Sequence, residues 1–292
     1  MRLAMVDENG AAALAVIRGD KAGVLPASAG DLMGVIARGA GALEAVALAA
    51  ASLPDRAWRP LTAMHFRMPV ERPGKVMCLG LNYVDHAKEG GYQVPDYPAF
   101  FMRCATSLIP AGAPMIRPHV SEKLDFEAEL MVIVGRGGRY LTETEALDHV
   151  FGYTCFNDGS VRDFQRKSAQ WTPGKNFDAT GAVGPVVVTA DELAPGAVDL
   201  KIACRLAGHT VQSANTSDMI VSVAKAIMLL SEFTTLEPGD LIAMGTPQGV
   251  GHARQPPLWM RPGDTVEIDI ENIGVLSSTI ADEGGPRVAP AL

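Results

Sequence analysis

Three acidic residues alternate along a segment that otherwise has the composition of a buried strand. In "LDFEAELMVIVG" (124–135), Asp125, Glu127 and Glu129 occupy every second position. Residues two apart in a strand share a face and rise about 3.3 Å per step, so Glu127 and Glu129 project side by side about 7 Å apart. Burying an unpaired carboxylate costs several kcal/mol, and a cation removes that cost. The spacing therefore suggests a divalent-metal site.

A third carboxylate follows another apolar run. Asp158 comes just after the run that ends at Phe156, where its side chain can reach the face of a neighbouring strand. Oxygen ligands favour Mg²⁺, Mn²⁺ or Ca²⁺ over zinc. The alternative is that Glu127 and Glu129 lie on a solvated edge strand. Spacing alone leaves both interpretations open.

A histidine and a glutamate follow the strand predicted at 75–81. His86 and Glu89 are three apart in "LGLNYVDHAKEGG", so on a helical turn they share a face. A carboxylate beside an imidazole orients it and raises its basicity, as a general base requires. The alternative is a solvated pair on a surface helix. Gly90 and Gly91 suggest a segment that closes over a substrate.

Other segments carry residues compatible with an active site. Lys175 follows a Pro-Gly turn, where its ammonium could pair with a substrate carboxylate. Thr246 follows a strand in "MGTPQGVG", where it could donate to an oxyanion. Arg162 and Gln170 lie between these segments. "GTPQGVG" is not a phosphate loop, because no Gly-Lys-Ser/Thr follows. Each segment could also be an ordinary tight turn.

Composition narrows the class of protein. The chain has 292 residues, 48% of them hydrophobic, and a net charge of −8, which argues against nucleic-acid binding. Its four cysteines form no Cys-x-x-Cys pair and are expected to be reduced. No signal peptide is evident, and the most apolar helical stretch is too short to span a bilayer. These features predict a soluble cytoplasmic protein without membrane or nucleic-acid partners.

The pattern of elements changes near residue 70. Residues 1–70 predict a small N-terminal α+β domain and linker, with a strand pair joined at Asn9-Gly10 and a helix that begins at Asp31. Residues 71–284 contain many strand candidates and one clear helix, capped by Ser217. Residues 285–292 form a tail. Many strands with few helices predict a mixed α+β, β-rich fold.

Five motifs in one order resemble the fumarylacetoacetate hydrolase family across roughly residues 70–283. They are "GLNYVDHAKE", "LDFEAEL", "FNDGSVRDFQ", "QWTPGKNFDATGAVGP" and "GDLIAMGTPQGVG". The resemblance implies a β-sandwich or roll, a homodimer, and Mg²⁺ or Mn²⁺, with Ca²⁺ as a substitute in crystals. It assigns metal binding to Glu127, Glu129 and Asp158, catalysis to His86, Glu89 and Lys175, and substrate binding to Asn82, Tyr83, Arg162, Gln170 and Thr246. The chain departs from the family motif at Gly159, expected to loosen the backbone beside Asp158, and at Val161.

The resemblance implies a small 2-oxo acid as substrate. The leading hypothesis is hydrolysis of a carbon–carbon bond in a 1,3-dicarbonyl 2-oxo acid, of the acylpyruvate or fumarylpyruvate type, through a metal-bound enolate. An isomerase or decarboxylase in aromatic catabolism is the first alternative, because its reaction also passes through an enolate. A non-catalytic metabolite binder is the second, although a water-activating His86–Glu89 pair would have no use in one.

Overall fold

A computed structural model describes residues 1–89 and 97–284, without the side chains of Ala40 and Ala87. Gly90, Gly91 and the tail predicted at 285–292 lie outside the described residues. The strands in chain order are β1 Arg2–Glu8, β2 Ala11–Arg18, β3 Lys21–Val24, β4 Trp58–Pro60, β5 Val76–Gly80, β6 Ala99–Met102, β7 Leu108–Pro110, β8 Met115–Arg117, β9 Leu124–Asp125, β10 Ala128–Val134, β11 Val150–Asp158, β12 Ser160–Val161, β13 Gly181–Thr189, β14 Lys201–Leu206, β15 His209–Asn215, β16 Leu241–Ala243, β17 Thr265–Ile270 and β18 Gly274–Asp282. The helices are α1 Leu32–Arg38, α2 Ala40–Ala51, α3 Val84–Glu89, α4 Glu143–Ala146, α5 Arg162–Gln165, α6 Thr172–Lys175 and α7 Val223–Phe233.

One large mixed sheet runs through the part of the chain that the structure describes. Its strand order is β4-β3-β2-β1-β13-β11-β10-β16-β5-β6, and β7 pairs with β13. The predicted N-terminal hairpin is present: Asn9 and Gly10 have φ of 55° and 86°, as a tight turn between β1 and β2 requires. β1 also pairs antiparallel with β13, so the N-terminal strands continue the same sheet. The domain division at residue 70 stays a prediction.

Both faces of the large sheet are buried, and the alternation along β1 shows how. Leu3 and Met5 face one apolar core, whereas Ala4 and Val6 face the other. The first core also contains Val35 of α1, so the N-terminal helices cover that face. Burial on both sides accounts for the nearly continuous apolar runs in the central strands.

A second sheet covers the opposite face. Its strand order is β15-β14-β17-β18-β8, and its apolar side chains, among them Ile202 and Ile268, share a core with Leu130 of the large sheet. The fold is therefore mixed and β-rich, as predicted. Among the described residues, no helix is long and apolar enough to cross a membrane.

The main helix begins later than the sequence indicated. Ser217 lies in a short 3-10 turn, Thr216–Asp218, where the Asn215 side chain accepts a hydrogen bond from its backbone N–H. Helix α7 begins at Val223, capped by Ser222, whose hydroxyl accepts from Lys225 N at 3.1 Å. Ile220 N donates to Asn82 O at 2.8 Å and Val221 N donates to Asn82 Oδ1 at 2.7 Å. The backbone after Ser217 is therefore hydrogen-bonded to another segment, and the helix begins at the next serine that can cap it.

Candidate active site

The pairing of β10 with β11 brings three carboxylates together. Glu129 pairs opposite Phe156, and Asp158 N donates to Glu127 O at 3.0 Å. One ligand oxygen each from Glu127, Glu129 and Asp158 lies within 4.8 Å of the others. All three side chains are buried, with at most 4% of a residue exposed. The convergence expected from the strand periodicity is therefore present.

Asp125, the first of the alternating acids, does not join this cluster. It accepts hydrogen bonds from Arg162 Nε at 2.7 Å, Gly251 N at 2.8 Å and His252 N at 3.0 Å. Asp125 is thus bound by protein donors, and of the three alternating acids only Glu127 and Glu129 belong to the carboxylate cluster.

Buried cations compensate part of the negative charge. Lys175 Nζ lies 2.6 Å from Glu127 Oε2 and 2.7 Å from Asp158 Oδ2. Arg162 lies 2.7 Å from the other Glu127 oxygen. Arg103, which the sequence analysis did not single out, also pairs with Asp158. Its guanidinium is fixed further by the Ser107 and Thr180 hydroxyls.

Glu129 is the carboxylate left uncompensated. It forms no ion pair among the described residues and accepts a hydrogen bond from Gly245 N at 3.0 Å. Burial, and then the negative charges of Asp158 and Glu127, raise its pKa well above the ordinary value. Burial also acts to raise the pKa of Glu127, but Lys175 and Arg162 outweigh it and hold that pKa low.

The donor set fits a divalent cation. The described part of the site holds four buried carboxylates, counting Asp125, against three buried cations. A divalent ion would turn this single excess negative charge into a single excess positive charge. Oxygen-only donors at this spacing suit Mg²⁺ or Mn²⁺.

The His86–Glu89 pair lies on α3, beside the carboxylates. His86 is 8% exposed, and its Nδ1 lies 3.5 Å from Glu89 Oε2, longer than a normal hydrogen bond. Both Glu89 oxygens accept from Gly249 N at 3.1 Å. Burial acts to raise the pKa of Glu89, but His86 and Gly249 N lower it below the ordinary value. The carboxylate thus stays charged beside the imidazole.

These groups line one cavity of about 580 Å³ that opens to solvent. Six of the residues predicted for the site line it, namely His86, Glu127, Glu129, Arg162, Lys175 and Thr246. The Thr246 hydroxyl accepts from Gln212 Nε2 at 2.9 Å, so its own hydrogen can point elsewhere. Asp158 and Glu89 do not line the cavity but contact residues that do: Asp158 pairs with Lys175, and Glu89 faces His86.

Three predicted substrate-binding residues lie elsewhere. Asn82 is buried and donates to Val221 O at 3.0 Å and Met244 O at 2.8 Å, so it joins two backbone segments. Tyr83 is 1% exposed and is not among the lining residues. Gln170 is exposed and outside the cavity. Their assignment to substrate binding gains no support from this geometry.

Gln165 lines the cavity instead of Gln170. It lies three residues after Arg162 on α5, and Arg162 donates to its side-chain oxygen at 2.8 Å. Helical spacing from Arg162 was the signal that could have found it. The sequence analysis also missed Arg166, Trp171 and His252, which line the cavity as well.

Gly159 has a different role from the one expected. A Cβ at this position would lie 2.1 Å from Thr180 O, so no other residue fits without a shift of the backbone. Arg103 donates to the Gly159 carbonyl at 3.2 Å and also pairs with Asp158. Gly159 therefore permits close packing beside Asp158 rather than loosening the chain there.

Known proteins share this architecture. The family model "Fumarylacetoacetate (FAA) hydrolase C-terminal" matches residues 75–281. The human protein "Oxaloacetate tautomerase FAHD2A, mitochondrial" is 41% identical over 223 residues, which cover 76% of this chain and 71% of the human protein. Fumarylacetoacetate hydrolase (EaFAH) from Exiguobacterium antarcticum has a TM-score of 0.83 and 32% identity, with 97% of this chain and 100% of that chain covered.

A further solved structure holds ligands. Maleylpyruvate hydrolase from Sphingobium sp. SYK-6, in complex with manganese (II) ion and pyruvate, has a TM-score of 0.82 and 28% identity. The match covers 97% of this chain and 100% of that chain. With the family model spanning most of the chain, this protein belongs to the fumarylacetoacetate hydrolase family.

Proposed function

We propose that this protein is a divalent-metal-dependent tautomerase that interconverts the keto and enol forms of a short 2-oxo acid of the oxaloacetate type. One observation carries the proposal: Glu127 and Glu129, which cluster with the buried Asp158, line the same cavity as a carboxylate-paired histidine. The relatives named as oxaloacetate tautomerases are 41% identical to this chain, against 28% for the maleylpyruvate hydrolase. Tautomerisation therefore replaces hydrolysis as the leading hypothesis.

Glu127, Glu129 and Asp158 are the residues that would hold Mg²⁺ or Mn²⁺. When bound, the ion supplies positive charge that favours enolisation of a 2-oxo acid. Arg162 and Lys175 hold two of the three carboxylates in place, because each forms an ion pair with Glu127 and Lys175 also pairs with Asp158. These contacts fix the donor oxygens before a ligand arrives.

His86 is the group that takes a proton from the substrate carbon or returns it. Glu89 faces Nδ1 of its ring, which leaves Nε2 for the cavity, and Gly249 N fixes Glu89 in turn. The walls formed by Leu79, Phe101 and Trp171 are apolar and limit the access of water to the proton in transfer.

Thr246 and Lys175 supply hydrogen-bond donors near the reacting oxygens. The Thr246 hydroxyl already accepts from Gln212, so its hydrogen is free to donate to a substrate oxygen. Burial acts to lower the pKa of Lys175, but Asp158 and Glu127 outweigh it and raise that pKa. The Lys175 ammonium therefore stays charged in the site.

Carbon–carbon hydrolysis of an acylpyruvate-type acid is the second candidate. The His86–Glu89 pair favours it, since the same base could take a proton from water. The manganese and pyruvate structure of a maleylpyruvate hydrolase supports it as well. Decarboxylation rests on no separate observation. The relatives are named as enzymes, which leaves the metabolite binder without support.

A product assay distinguishes the two candidates. We would mix the enol form of oxaloacetate with protein and Mg²⁺ and follow the loss of enol absorbance, with a chelator-treated sample as control. The tautomerase proposal predicts faster loss, sensitivity to the chelator and no new acid. Two acids formed from fumarylpyruvate, with no acceleration on oxaloacetate, would contradict it and favour the hydrolase.

Three further assignments remain proposals. We infer a cytoplasmic location from the sequence, whereas the mammalian relatives are named as mitochondrial. A homodimer follows from the family resemblance, and sedimentation would test it. The choice between Mg²⁺ and Mn²⁺ is open to titration; the maleylpyruvate hydrolase structure holds manganese.

A further inference from the structure

A second histidine faces the cavity with a carboxylate behind it. His252 lies in the 3-10 turn Gly251–Ala253, and 13% of its side chain is exposed. Its Nδ1 lies 3.3 Å from Asp125 Oδ2, and its backbone N–H donates to the same oxygen at 3.0 Å. With Nδ1 turned toward Asp125, the ring offers Nε2 to the cavity that it lines.

Asp125 is itself held rigidly. It is fully buried and accepts from Arg162 Nε at 2.7 Å and from Gly251 N at 2.8 Å. A carboxylate fixed in this way sets the orientation and the tautomer of the ring that it contacts.

One loop supports both histidine–carboxylate pairs. Gly249 N donates to Glu89, which faces His86, while Gly251 N donates to Asp125, which faces His252. The two imidazoles are therefore positioned by neighbouring amides and line one cavity. Both rings are therefore expected to contact the same bound molecule.

We propose that His252 is a second catalytic acid–base residue, which exchanges the proton on the enol oxygen while His86 exchanges the proton on carbon. The inference rests on the proposed tautomerase function. The carbon proton leaves perpendicular to the plane of the substrate, whereas the oxygen proton lies in that plane. One fixed side chain is poorly placed for both transfers, so two oriented bases suit the reaction.

The step balances without any further reactant. In ketonisation, the O–H bond of the enol breaks and its proton goes to neutral His252. A proton on His86 forms the new C–H bond, and the C2–C3 double bond becomes the C2–O double bond. Proton exchange with solvent then returns both rings to their starting states, and no electron leaves the system.

Two substitutions at His252 test the proposal. His252→Gln keeps a side chain that can hydrogen-bond to Asp125 but cannot transfer a proton, and His252→Ala opens space for added imidazole. We expect either variant to lower kcat for enol-oxaloacetate by about 10²- to 10³-fold, within the range of a general acid–base contribution. Mn²⁺ affinity and melting temperature should stay near those of the wild type. Imidazole should restore part of the rate of His252→Ala.

The outcomes separate this inference from the proposed function. If the wild type is active and His252→Gln matches its kcat, or if only KM rises, the second acid–base role is wrong and the tautomerase stands. A rate loss accompanied by lost Mn²⁺ affinity, without rescue by imidazole, would also overturn it as a structural effect. A wild type that turns over no 2-oxo acid overturns both.

Discussion

The segment 127–134, which is strand β10 and the residue before it, has an acidic half and an apolar half, and the two halves are stabilised differently. From Leu130 to Val134 every side chain is fully buried in apolar surroundings. At the other end, Glu127 and Glu129 are as deeply buried but lie among charges. The apolar half stabilises the fold by itself, whereas the acidic half needs cations. The stability of the fold and the chemistry of the site are thus assigned to adjacent parts of one segment.

The largest expected effect comes from the uncompensated acid. Glu129→Gln removes a proposed metal ligand, so we expect Mn²⁺ affinity to fall more than about 100-fold, with loss of activity. Without metal the variant should be at least as stable as the wild type, because its neutral amide avoids the ionisation that burial and the neighbouring acids disfavour at Glu129. Isothermal titration and chemical denaturation in chelator measure the two quantities. Unchanged affinity would remove Glu129 from the metal site.

His86 tests the chemistry apart from the metal. We expect His86→Gln to lower kcat by about 10²- to 10⁴-fold, as loss of a general base does. Because His86 is outside the cluster of proposed metal ligands, Mn²⁺ affinity should change little. Steady-state kinetics and a Mn²⁺ titration of the same preparation check this. Parallel loss of both would indicate a ligating or structural role.

The apolar half should respond in the reverse manner. Leu130→Ala is expected to destabilise the protein by about 2–5 kcal/mol, because it leaves a cavity at a fully buried position. The remaining folded protein should bind Mn²⁺ nearly as well as the wild type. Urea denaturation gives the stability, and titration at low temperature gives the affinity. A loss of Mn²⁺ affinity as large as that of Glu129→Gln would show that the apolar half also determines metal binding, which would contradict the comparison.

Two glutamines give the smallest and most local comparison. Gln165 lines the cavity, whereas Gln170 is exposed outside it. We expect Gln165→Ala to raise KM several-fold, about 1 kcal/mol for one lost hydrogen bond, and Gln170→Ala to leave KM unchanged. Michaelis–Menten kinetics on both variants provide the check. The opposite ranking would restore the assignment made from the sequence.

The side-chain pairings that spacing alone predicted are local ones. Two-residue periodicity placed Glu127 beside Glu129, and three-residue spacing placed His86 beside Glu89. The turn at Asn9-Gly10 followed from its backbone preference in the same way.

Two of the residues that were missed depend on contacts between distant parts of the chain. Arg103 pairs with Asp158 across 55 positions, and His252 contacts Asp125 across 127. No spacing rule connects positions so far apart, because the folded sheet alone brings them together. The predicted start of α7 was wrong for a related reason: two serines could each cap a helix, and hydrogen bonds from Ile220 and Val221 to the distant Asn82 keep the backbone after the first serine out of the helix.

The most direct test of the account is anomalous diffraction from crystals grown with Mn²⁺. We predict one strong peak bounded by carboxylate oxygens of Glu127, Glu129 and Asp158, at about 2.0–2.6 Å from each. Such a peak should vanish in Glu129→Gln crystals prepared in the same way. A peak elsewhere, or wild-type crystals with the three carboxylates turned away from any common centre, would contradict the central claim.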